Sequence, residues 1–179
     1  MNNIANILTV TRLALLPFII ALLYAHSAWA AWTVLVLYII GALTDWLDGW
    51  VARRYDQISD FGKFMDPVSD KIFVVTLLMM LVATHRIEHF LVLAVIIILV
   101  REFLVSGIRE FLAPKGISLP VTKLAKWKTA TQMIATGLLI IGPAYPLADL
   151  TGGILLCAAA ALTVITGWDY LKTAWRYLA

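Results

Sequence analysis

The segment Asp45-Trp46-Leu47-Asp48-Gly49-Trp50-Val51-Ala52-Arg53, followed by Gly62, Asp66 and Asp70, sets four carboxylates at the junction of two apolar runs. Two carboxylates end one run and two begin the next. On a helix, Asp45 and Asp48 share a face at a separation of three, and Asp66 and Asp70 share another at a separation of four. A short turn between the runs would bring the two faces together.

Outward from this junction the chain is almost bare of charge. Leu13 to Thr44, Thr129 to Ala148 and Leu150 to Trp168 contain no Asp, Glu, Lys or Arg. With 62% hydrophobic and 14% charged residues, the chain is far more apolar than soluble domains, which run near roughly 45–50% and 25%. The bilayer is therefore its expected solvent. About 20 residues cross the hydrocarbon core, so the polar and Pro/Gly-bearing interruptions predict six helical spans, at roughly 7–25, 30–54, 66–84, 89–112, 122–142 and 150–175. Ten-residue alternation, the mark of a membrane barrel, is absent, so the expected fold is all-α. No linker or repeat divides the chain, and residues 1–179 are expected to form a single six-helix transmembrane catalytic domain.

An even number of spans puts both termini on one side. That side would hold Arg12, Arg53, Arg54, Lys63, Lys71, Arg109, Lys115, Lys123, Lys126, Lys128, Lys172 and Arg176, against Arg86 alone on the other. The positive-inside rule makes the first side cytoplasmic, with Arg101 left inside the fourth span. The net charge of +3 hides this asymmetry. The first span lacks a basic n-region and is expected to stay in the mature protein. Cys157 has no partner for an internal disulfide and reads as a small core residue.

Four carboxylates at membrane depth repel one another and require compensating positive charge. Oxygen-only ligands favour magnesium or manganese over zinc, and His26, His85 and His89 all fall on the opposite side. Two such cations suit phosphoryl chemistry, where they clamp a pyrophosphate and stabilise the leaving phosphate. Gly49 and Ala52, on the stripe of Asp45 and Asp48, would let a nucleotide lie against the helix. Arg53 could point its fork at phosphate oxygens, and Gly62, one turn before Asp66, would leave room for the same ligand. Pro67 is expected in the first turn of the third span, a favoured place for proline.

The run Asp45-x2-Asp48-Gly49-x2-Ala52-Arg53-x8-Gly62-x3-Asp66-x3-Asp70 resembles the signature of the CDP-alcohol phosphatidyltransferases at every defined position. The resemblance implies that family's six-helix fold, a homodimer, an active site open to the cytoplasm and two divalent cations. It implies Asp45, Asp48 and Asp66 as metal ligands and Asp70 as both ligand and general base. Asp48, Gly49, Ala52, Arg53 and Gly62 would bind the CDP-lipid. Three further pieces resemble the branch whose acceptor is glycerol 3-phosphate: Asn6-Ile7-Leu8-Thr9-Val10-Thr11-Arg12, the run from Arg101-Glu102 through Ser106-Gly107-Ile108-Arg109-Glu110, and Lys126-Trp127-Lys128-Thr129-x2-Gln132. The partners implied are CDP-diacylglycerol, glycerol 3-phosphate and membrane lipids, not nucleic acid, at the bacterial inner membrane.

A phosphorylated acceptor needs a cationic pocket, for which Arg109, Lys126 and Lys128 are the candidates, with Arg101 deeper and in need of a partner, either in the neighbourhood of Glu102 or the substrate itself. Other acceptors, such as serine, an inositol phosphate or phosphatidylglycerol, are the alternative within the same reaction. A divalent-cation transporter is the rival class, but it predicts acids spread through the bilayer depth and broken, repeated helices, whereas here the acids crowd one end. Lys and Arg beside a span also serve as topology signals, the reading adopted for Arg54, Lys172 and Arg176. The seven tryptophans and six tyrosines are read as an interfacial belt without chemistry.

Overall fold

The charge-poor runs are helical, with the α-helices interrupted at 24–27 and 142–145. The computed structural model describes residues 4–55, 60–117 and 122–178, with side chains at 9–44, 62, 64–117, 122–175 and 177. Among these residues all regular structure is helical: α1 Ile4–Leu23, α2 Ala28–Tyr55, α3 Asp60–Ala83, α4 Leu91–Leu112, α5 Lys123–Ile141 and α6 Pro146–Leu178. Single 3-10 turns follow α4 and α5, at Ala113–Lys115 and Gly142–Ala144. Two stretches, Leu91–Lys115 and Pro146–Trp175, are long and apolar enough to cross a membrane, and Thr9–Leu23 and Ala28–Thr44 are shorter apolar stretches.

One boundary departs from expectation. Helix α3 starts at Asp60 instead of near 66, so Pro67 lies inside it and not in its first turn. A proline that begins a helix and one that interrupts it look alike in sequence. The interruption removes the bond to the carbonyl four residues earlier, a loss that membrane helices tolerate when nearby groups re-satisfy that carbonyl. Pro17 sits inside α1 in the same way.

The chain divides into two compact units: residues 1–86 with 143–145, and 87–142 with 146–179. In the first, α1 packs against both α2 and α3. Its buried stripe is Thr9, Arg12, Leu16, Ile19 and Leu23, the alternating three-and-four spacing of one helix face. The Phe73 ring of α3 reaches α2 at Gly41, where a Cβ would stand 2.6 Å from Phe73 Cζ. Tyr38 stacks on the same Phe73 ring with centroids 6.0 Å apart. Gly41 lies one turn before Asp45 and Phe73 three residues after Asp70, so this contact joins α2 to α3 close in sequence to both carboxylate pairs.

In the second unit, α6 packs against α4 and α5. A Cβ at Gly152 would stand 2.9 Å from Leu139 Cγ, so this glycine serves helix contact. Thr122 caps α5, its hydroxyl accepting from the Ala125 N–H at 3.2 Å. The chain leaves α4 through Gly116 at φ 71°, where Ile117 N–H bonds Leu112 O and Gly116 N–H bonds Ala113 O. That is a Schellman closure with glycine in its left-handed position. Helix α3 ends with the same bond pattern, Arg86 N–H to Leu81 O and His85 N–H to Val82 O, but with His85 at φ 58°. His26, His85 and His89 all occupy left-handed positions in turns and are exposed, consistent with solvated loops.

Candidate functional site

The first unit presents its chemistry on α3. Asp66 and Asp70, one turn apart, are both partly exposed, and α1 reaches each of them. The Thr9 hydroxyl donates to Asp66 Oδ1 at 2.9 Å. The Arg12 guanidinium forms an ion pair and hydrogen bond with Asp70 Oδ1. Arg12 is 1% exposed and Thr9 fully buried, so two polar residues on the inward stripe of α1 bind the two carboxylates of α3. Ser69, also buried, bonds back to the Asp66 carbonyl at 3.0 Å and leaves the carboxylate to Thr9.

Sequence reasoning placed Thr9 and Arg12 in a run that resembles the glycerol 3-phosphate branch and Arg12 on the basic side of the membrane, but gave neither a contact with the carboxylates. A signal was present. The apolar stripe Leu16, Ile19, Leu23 extends back through Arg12 and Thr9, so Arg12 had to face inward and find a carboxylate.

Gly62 is buried, two residues into the backbone of α3. The backbone of Asp45, Asp48, Gly49, Ala52 and Arg53 is helical within α2, but their side chains lie outside the described residues. Among the described residues no three His, Cys, Asp or Glu side chains come together as a metal-holding group. The described half of the acidic cluster nonetheless suits a hard cation. Its donors are carboxylate oxygens, a carboxylate offers about four lone-pair sites so one bond from Thr9 does not exhaust Asp66, and Arg12 already demonstrates that this face of α3 draws positive charge.

The second unit gathers cations. Lys128 on α5, 3% exposed, forms an ion pair with Glu102 on α4. Arg101 Nη1 lies 3.5 Å from the same Glu102 oxygen, and its Nη2 donates to Thr166 Oγ1 on α6 at 3.4 Å. Arg109 Nη2 donates to the Tyr170 hydroxyl at 3.0 Å. Arg101 therefore has the partner that its depth demanded, and Arg101, Arg109 and Lys128 belong to one cluster. Lys126 is exposed and has no part in the bonds just described. Arg101 Nε and Gln132 Oε1 are buried without a hydrogen-bond partner among the described residues, so the polar seam is not saturated by these protein groups.

Trp29, Trp32, Trp168 and Trp175 are exposed, as an interfacial belt requires, whereas Tyr38 and Tyr170 are 7% and 4% exposed and do not belong to one; the Trp50 side chain lies outside the described residues. Composition treats tyrosines alike. Position on the helix stripe separates them: Tyr170 continues the buried series Thr163, Thr166, Gly167 of α6.

Helices throughout the described residues, paired carboxylates on one of them and a cluster of cations on others, from buried Lys128 to exposed Arg109, are the chemistry expected of an enzyme acting on phosphate at a membrane. The sequence profile of CDP-alcohol phosphatidyltransferases matches residues 2–165, and the chain belongs to that family. It is similar end to end to proteins named CDP-diacylglycerol--glycerol-3-phosphate 3-phosphatidyltransferase. The Rickettsia typhi protein is 40% identical over 99% of each chain. That of Cereibacter sphaeroides is 40% identical over 98% of this chain and 97% of its own, and that of Pseudomonas fluorescens 38% identical over 98% and 92%. Together with the two long apolar helices, the family sets the chain at a membrane.

Proposed function

We propose that this chain transfers the phosphatidyl group of CDP-diacylglycerol to glycerol 3-phosphate, forming phosphatidylglycerophosphate and CMP. End-to-end similarity to relatives of that name supports the reaction. The observation that carries the acceptor is the cation cluster: Arg101, Arg109 and Lys128 are held together with a single carboxylate, Glu102, among the contacts described. Such a surplus suits a phosphate monoester, whose two negative charges are unopposed, better than serine, whose one carboxylate is offset by its own ammonium. Lys126, exposed at the start of α5, would meet the acceptor as it arrives.

Asp45, Asp48, Asp66 and Asp70 would hold two divalent cations, Mg or Mn, which when bound supply charge neutralisation to the pyrophosphate and the departing CMP. Asp48, Gly49, Ala52, Arg53 and Gly62 would form the CDP-lipid side, with Arg53 on phosphate oxygens and the small residues admitting the nucleotide. Asp70 takes the proton of the acceptor hydroxyl. That oxygen then forms its bond to the lipid-linked phosphorus as the bond from phosphorus to the CMP oxygen breaks. Arg12 holds Asp70 in place and Thr9 holds Asp66, so α1 orients the carboxylates. Similarity that runs through both units favours one catalytic domain over residues 1–179, with six spans, both termini and the active site cytoplasmic at the inner membrane, working as a homodimer.

The test is CMP release by the purified protein in detergent with CDP-diacylglycerol and magnesium, comparing glycerol 3-phosphate, serine and inositol phosphate, with a chelator control. Chelator-sensitive release with glycerol 3-phosphate alone is the expected result. Release with another acceptor alone would keep the reaction and overturn the acceptor.

A further inference from the structure

Arg101 and Arg109 are eight residues apart on α4, a rise of about 12 Å along the axis. Two guanidiniums at that spacing do not converge by themselves. Like charge pushes them apart, and each long side chain loses rotamer freedom when it is fixed. Yet both lie over one ring: Arg101 Cζ is 5.4 Å and Arg109 Cζ 5.1 Å from the centroid of Tyr170. The electron-rich face of a phenol attracts each cation. The hydroxyl of the same residue accepts from Arg109 Nη2, which fixes the rotation of that fork. The preceding turn of α6 completes the bed. Thr166 accepts from Arg101 Nη2, and Gly167 lets Arg101 lie against the helix, since a Cβ there would stand 3.0 Å from Arg101 Cγ.

We propose that Tyr170 is a positioning residue for the phosphorylated acceptor: it gathers Arg101 and Arg109 into one anion clamp and so sets the affinity for glycerol 3-phosphate. The inference rests on the acceptor reading above and deepens it. Tyr170 acts through the two arginines, so its loss weakens the acceptor selectively. Transfer of the phosphatidyl group from bound substrates continues.

The experiment measures kcat and separate KM values for glycerol 3-phosphate and CDP-diacylglycerol with the full-length protein in detergent. Y170F keeps the ring and removes the hydroxyl, and raises the glycerol 3-phosphate KM roughly fivefold. Y170L removes both and raises it roughly thirtyfold or more. In both variants the CDP-diacylglycerol KM and kcat stay within about twofold of the parent. R109A is the companion. If it raises both KM values alike, the acceptor pocket itself is misplaced and this inference falls with it. If R109A is selective for the acceptor while Y170L raises both KM values together, or Y170F leaves the acceptor KM unchanged, the pocket stands and the role of Tyr170 is overturned. A Y170L protein that fails to fold leaves Y170F to decide by the same criterion.

Discussion

The two units differ in charge: residues 1–86 with 143–145 hold six acidic and six basic residues, whereas 87–142 with 146–179 hold five acidic and eight basic. In the first, Asp66 and Asp70 of α3 bond with Thr9 and Arg12 of α1 among the described contacts. In the second, Arg101, Arg109 and Lys128 are gathered with one carboxylate, Glu102. The carboxylate oxygens on α3 are of the type that hard cations take, and the guanidinium and ammonium groups on α4 and α5 are of the type that phosphate takes. The attachment differs too. Helix α1 grips its carboxylates through a single inward stripe, whereas three helices and an aromatic ring hold the cations.

The largest way to break this comparison is at Asp70. Asp70→Asn should lower CMP release on the order of 10³-fold or more while CDP-lipid binding by the folded protein persists; near-parental turnover would remove Asp70 from the role of base. Next is Arg12, which touches the carboxylate and not the acceptor. Arg12→Ala should reduce kcat on the order of 10²-fold through misplacement of Asp70, Arg12→Lys should recover part of it, and the KM for glycerol 3-phosphate should move little; a selective acceptor effect would instead put Arg12 with the cations of the second unit. The smallest catalytic effect, but a clear loss of stability, is expected at Glu102. Glu102→Ala leaves Lys128 buried without its carboxylate and should destabilise by about 3 kcal/mol, with Lys128→Met in the same chain restoring most of the loss. Denaturant unfolding in micelles reads both, and equal losses in the single and double variants would show that the pair contributes nothing through its charge.

Much of this was legible in the sequence because lipid imposes simple rules. Charge-free runs became helices, and the lone intramembrane Arg101 demanded a partner and has Glu102. The failures have physical sources. Pro67 looked like a helix start because proline at a first turn and proline within a membrane helix differ only in what surrounds them. Arg12 looked like a topology signal because it stands near the end of its span, yet its register with Leu16 and Ile19 turns it inward. Tyr170 was grouped with interfacial aromatics, and only the packing of α4 against α6 reveals that the ring lies under two guanidiniums. Single-helix periodicity can say which face a residue occupies. It cannot say which helix comes to meet that face.

The bond between Arg12 and Asp70 joins residues 58 apart in sequence, and that separation bears on how the protein is made. At roughly 5–20 residues per second, α1 leaves the ribosome several seconds before its carboxylate exists. During that interval Arg12 lacks this carboxylate, and a charge at the end of a hydrophobic segment favours the water boundary. Final seating of α1 must therefore await α3, so the same ion pair that orients the carboxylates also makes the earliest helix among the last to settle.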